Sequence, residues 1–204
     1  MDKRMTGFRL NVKIKSCMLA AVAALFLSGC RESIDENITV ITLQKDGTIL
    51  SQISESFAQD YYDDEDLKQT ILAEAADYNK AAGTGKINVE KISVEDGLAA
   101  VRMLYQEAAD YAGFNQAVFF AGSTESAGEE YELNIVLSGT RDSNDTVGRS
   151  DILAMKDYKL LITDVQELVI LDGRAEYISD NITVSDNRKN IQLTGDGMGY
   201  VLYK

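Results

Sequence analysis

Hydrophobic and polar positions change their period several times along this chain, and each change marks an element. The first feature is an unbroken apolar run, Cys17 to Leu27. Thr39–Leu43 and Thr48–Phe57 then alternate with period two on either side of Lys45-Asp46-Gly47. Asp-Gly between two β-rich runs predicts a hairpin with a type I′ turn, because that turn needs positive φ at its centre. Ile49, Ile53 and Phe57 then share one face, with Val40 opposite Ile53. Leu67, Ile71, Leu72, Ala75 and Tyr78 recur at helical spacing up to about Lys80, with Asp63 placed to cap the first turn and Ala82-Gly83-Thr84-Gly85 ending it.

A second Asp-Gly, Asp96-Gly97, separates Lys86–Glu95 from Leu98–Tyr105. A two-residue loop pairs Val94 with Ala99 and Ile92 with Val101. Val89 and Ile87 are then out of phase with Ile92. One extra residue near Glu90-Lys91 brings Val89 opposite Met103 and Ile87 opposite Tyr105, which predicts a β-bulge. Beyond it, residues 106–114 read as a short helix broken by Gly113, and Ala117–Phe120 as a short strand. Ser123–Glu130 reads as a weak helix or turn. Tyr131–Ser138 alternates, with Tyr131, Leu133, Ile135 and Leu137 on one face. A polar loop, residues 139–150, precedes a short helix over Asp151–Lys156 capped by Ser150. The remainder is strand-rich: Tyr158–Thr163, Glu167–Leu171, Arg174–Ile178, Asn181–Val184, Ile191–Thr194 and Gly199–Lys204. Hairpins with a few inserted helices imply an α+β fold, built of antiparallel β-hairpins and sheet, rather than alternating α/β.

The apolar run carries the first functional information. Lys3, Arg4, Arg9, Lys13 and Lys15 precede it against one acid, Asp2. Eleven helical residues span roughly 16 Å, too short for a ~30 Å hydrocarbon core, so a basic flank and a short apolar core read as an export signal. Leu27-Ser28-Gly29-Cys30 follows, an aliphatic residue and two small residues before a cysteine. This pattern resembles the bacterial lipobox. The resemblance implies that Cys30 carries a diacylglycerol and becomes the first residue after cleavage. Residues 1–29 are then the lipoprotein signal peptide, 30–37 the lipidated Cys30 with a short tether, and 38–204 a single extracytoplasmic α+β domain. Acyl chains on Cys30 supply the signals for stable attachment to the cell membrane. Cys17 leaves with the signal, so no free thiol or disulfide remains.

Removing residues 1–29 takes five bases and one acid from 20 and 33, leaving 15 and 32 and a net charge of −17. Nucleic acid, which demands a basic patch, is an excluded partner. The chain contains no His, no Trp and no Pro. Without His there is no Ser-His-Asp or Cys-His catalytic unit, and the commonest transition-metal ligand is missing. The acidic run Asp60, Asp63, Asp64, Glu65, Asp66 lacks the spacing of an EF-hand loop and reads as capping and helix-dipole chemistry. Residues 141–145 and 195–199 read as surface turns. No metal, no cofactor and no catalytic residue is therefore expected. Tyr61, Tyr62 and Tyr131 would form a binding face if they were exposed together.

The stretches ITLQKDGTI, DYYDDEDLK, VEDGLAAVRM, DYAGFN and GYVLYK resemble the small uncharacterised lipoproteins of anaerobic gut bacteria. That resemblance implies an anchored α+β domain and no site residue beyond Cys30. The expected function is a membrane-anchored, non-enzymatic binding or structural module of the cell envelope, with its protein or glycan partner open. The alternative is a carboxylate-based hydrolase of cell-wall or glycan material.

Overall fold

The computed structural model describes residues 38–59 and 62–204; the signal segment, Cys30, the tether, Asp60 and Tyr61 lie outside the described residues. The fold is α+β, with two mostly antiparallel sheets and four helices among the described residues.

The first sheet begins with β1 (Val40–Leu43) and β2 (Ile49–Ser56), then α1 (Asp64–Ala82), β3 (Ile87–Glu95) and β4 (Leu98–Tyr105). The β1–β2 loop differs from the expected type I′ turn. Gly47 N donates to Gln44 O at 3.0 Å and Gln44 N to Thr48 O at 2.9 Å, so the loop holds three residues, with Gly47 at φ 90°. A type I turn closed by a left-handed glycine is the usual three-residue hairpin. It moves the register by one, so Val40 faces Gln52 rather than Ile53. The second hairpin has the expected register: Val94 faces Ala99 and Ile92 faces Val101. Asp96 and Gly97 take φ 51° and 74°, as a two-residue I′ loop needs. The register shifts between Val89 and Lys91, so Val89 meets Met103 and Ile87 meets Tyr105.

Asp63 caps α1, its Oδ1 accepting from the backbone of Glu65 at 2.9 Å and Asp66 at 3.0 Å. Ile71 and Ala75 are buried and Leu67 and Tyr78 half-buried, whereas Leu72 lies on the solvent face, one position off the stripe. Next, α2 (Ala108–Asn115) runs through Gly113 instead of breaking there. A Cβ at Gly113 would stand 2.8 Å from the Tyr78 hydroxyl, so close helix packing is what this glycine permits.

The second sheet takes β5 (Phe119–Ser123), β6 (Leu137–Gly139), β7 (Thr146–Val147), β8 (Lys159–Thr163), β10 (Ala175–Ile178) and β13 (Gly199–Tyr203). Between them, β9 (Leu168–Ile170), β11 (Ile182–Val184) and β12 (Asn190–Leu193) return to the first sheet. The strand orders are β11-β12-β9-β1-β2-β4-β3 and β5-β8-β13-β10-β6-β7. One pair, β1 with β9, is parallel. Of the expected strand 131–138, Leu137 and Ser138 alone enter a ladder, extended by Gly139, although Leu133 and Leu137 are buried and Tyr131 and Ile135 half-buried, as the alternation requires. Thr146–Val147 interrupts the polar loop. The helices α3 (Thr124–Glu130) and α4 (Arg149–Ala154) complete the chain. Gly148, not Ser150, stands at the α4 N-cap, with Asp151 Oδ2 accepting from the Gly148 backbone at 3.1 Å.

Two cores share the second sheet. One lies between the sheets and under α1 and α2, from Ile41, Ile49 and Met103 to Leu161, Val201 and Tyr203. The other covers the opposite face, where Leu160, Ile162 and Leu202 meet Ala127, Leu133 and Ile152. This second cover explains why all of β13 is buried, residue after residue.

Candidate functional site

Strand directions sort the loops into two ends. The chain enters β1 at one end. The ladders of the first sheet place the ends of β2, β3 and β12 and the starts of β4 and β9 there as well, and the short 194–198 connection brings the start of β13 to the same end. The opposite end holds the Lys45–Gly47 turn, the starts of β3 and β8, the β11–β12 turn and Lys204. At this far end Leu171 N donates to Lys189 O at 2.9 Å, extending the β9–β12 pair, and Arg174 N to Lys204 O at 2.6 Å, extending the β10–β13 pair, while Ala175 N donates to Arg188 O at 2.7 Å and joins the two sheets.

Three charged clusters lie at this far end. In the first, Lys86 at the start of β3 contacts the carboxylate of Glu107 and lies 3.4 Å from Asp110 Oδ2. Asp110, 4 % exposed, also accepts from the Tyr78 hydroxyl at 3.4 Å. The hydrogen bond to Glu107 holds the Lys86 ammonium above its ordinary pKa, and burial, then Asp110, does the same for the Tyr78 phenol. Both shifts lead away from neutrality. Lys86 stays a cation and Tyr78 a donor, so neither is tuned as a general base at neutral pH.

In the second cluster Lys159 Nζ meets Asp172 Oδ2 at 2.6 Å. Burial first, and Asp172 second, pushes the adjacent Tyr203 phenol upward. In the third, Arg188 Nη1 donates to Glu176 Oε2 at 2.6 Å and to Ala175 O at 3.3 Å, while Arg141 approaches Glu176 at 3.8 Å. Arg188 sits at φ 59°, a left-handed conformation that costs a non-glycine residue on the order of 1–3 kcal/mol. Its carbonyl accepts from Ala175 N at 2.7 Å, so backbone and side chain together hold the strained residue and stitch the β11–β12 turn to β10.

Sequence reasoning missed all three clusters. Each joins residues from separate elements, and no local spacing announces Lys86 with Asp110 or Arg188 with Glu176. The predicted features fall elsewhere. Cys30 lies outside the described residues. Among the described residues no three His, Cys, Asp or Glu side chains converge as metal ligands. The 141–145 turn bonds internally, Asp142 Oδ1 accepting from Asn144 N at 3.0 Å, while Asp145 accepts from the Tyr177 hydroxyl at 2.9 Å. Tyr62 stacks on Phe57 beside the start of α1, and Tyr131 packs against Phe120 on the second core, so these two tyrosines share no platform. No helix among the described residues is long and apolar enough to cross a membrane. No protein-family model matches the chain, and no match was found among curated proteins or solved structures.

Proposed function

We propose that this chain is a membrane-anchored extracytoplasmic lipoprotein acting as a binding or structural module of the cell envelope rather than as an enzyme. The observation that carries the reading is the Cys17–Cys30 segment: basic flank, short apolar core and Leu27-Ser28-Gly29-Cys30 in the order export and acylation require. The position of β1 supports it. Its strand begins ten residues after Cys30, which leaves a short stretch of chain between the acylated residue and the first strand. The alternative, a carboxylate-based hydrolase, finds neighbouring carboxylates at Glu107 and Asp110. There Lys86 sits on both, an arrangement that neutralises the pair instead of separating an acid from a base.

The test is Cys30→Ala in a bacterial host. Wild type should be acylated and recovered with membranes. The variant should remain at precursor mass or leave the membrane fraction. Processing and retention of the variant like wild type would overturn the reading.

A further inference from the structure

The charge of the fold is unequally divided between its ends. At the end where β1 begins, segments 55–59, 62–66, 95–98, 164–168, 179–181 and 194–199 carry eleven acids and no base. Ten of the eleven are exposed, Glu167 being half-buried. At the far end, segments 44–48, 80–86, 105–110, 140–146, 155–159, 171–176, 185–190 and 203–204 carry ten bases and nine acids. The local balance is therefore −11 at one end and +1 at the other. This polarity is independent of the helix-capping role of Asp63, because the acids come from six separated stretches and the topology alone gathers them.

Resting on the anchoring proposed above, we infer that the domain stands off its membrane on the tether: the tether enters at the acidic end and so presents the far end with its three charged clusters outward, while the acids hold that end off an anionic lipid surface. Residues 31–37 reach at most ~25 Å, so the acidic end stays within one tether length of the lipid. Like charge acts over a Debye length of about 10 Å at 0.1 M salt. The repulsion is thus felt when the domain leans onto the surface and vanishes when the tether is extended. Charge alone would turn the acidic end away from anionic lipid, so the far end is kept outward by the tether, which enters the fold at the acidic end. The outward face is then the mixed-charge end.

The test uses the full chain purified from bacterial membranes, with a dye at Gln166→Cys on the acidic end or at Ser143→Cys on the far end. Both positions are exposed. Energy transfer to acceptor-labelled lipid is read in vesicles of phosphatidylcholine with and without phosphatidylglycerol. The expected result is stronger transfer from position 166 than from 143. Phosphatidylglycerol should weaken the transfer from 166 at low salt, and high salt should restore it. Replacing Asp64, Glu65, Glu95 and Asp196 by their amides should blunt that response. Equal transfer from both positions, or no effect of lipid charge and salt, would overturn the orientation while leaving anchoring intact. An unacylated Cys30 by mass spectrometry would overturn anchoring and orientation together.

Discussion

At the scale of single residues, Asp63 shows how one side chain decides where a helix starts. Two backbone donors of the first turn, Glu65 N and Asp66 N, end on its carboxylate. Asp64 faces the same helix end without making either bond. A cap replaced by Ala typically costs about 1 kcal/mol, whereas an exposed acid in the dipole contributes roughly 0.3–1 kcal/mol at low salt. Asp63→Ala should therefore lower the urea midpoint more than Asp64→Ala. The two should diverge further at high salt, which screens the dipole term and spares the cap bonds. Equal losses that both disappear in salt would mean that charge, not capping, starts this helix. Asp63 was legible because capping chemistry is local: an acid immediately before an apolar period. Arg188 was not. Its left-handed backbone is tolerated because Ala175 and Glu176 hold it from a strand in the other sheet.

At the scale of elements, the two Asp-Gly hairpins separate what a sequence can and cannot specify. Both turns were visible. In the second, phase fixes the register, since Val89 and Ile87 reach the core only if Glu90 is surplus to the ladder. In the first, two- and three-residue loops are both open to Lys45-Asp46-Gly47, and the inward positions of β1 are too few to choose between them. The same reasoning yields an experiment. Deleting Glu90 removes the bulged residue and leaves Ile87 and Val89 facing inward. Deleting Asn88 instead puts Ile87 opposite Leu104, on the outer face. Ile87 is 4 % exposed, and its backbone is held by the Asn79 side chain at 2.9 and 2.8 Å. Taking such a side chain out of the core costs roughly 1.5–3 kcal/mol. The Asn88 deletion should thus shift chemical denaturation well beyond the Glu90 deletion. The reverse order would show that the bulge itself carries the hairpin.

At the scale of the whole molecule, the assignment of strands to two sheets was illegible, because β9 and β10 are adjacent in sequence yet belong to different sheets. That crossing creates the core in which Tyr105, Tyr111 and Tyr203 are buried at 0, 5 and 2 % exposure. Burial pushes the Tyr105 phenol up to about 12, against a hydrogen bond from Asn115 that favours its ionised form. Tyr111 and Tyr203 are driven upward by the same desolvation. In the unfolded chain a tyrosine ionises near pH 10. A folded value raised above that gives stability that is complete below about pH 10 and is lost as pH rises toward 12. Each pH unit in that window costs about 1.4 kcal/mol per such tyrosine. The buried three should ionise together with a cooperative loss of near-ultraviolet circular dichroism. Tyr105→Phe, which keeps the ring and removes the acid, should move that transition to higher pH. A buried set that titrates near pH 10 without unfolding would contradict the packing of the two sheets around these rings.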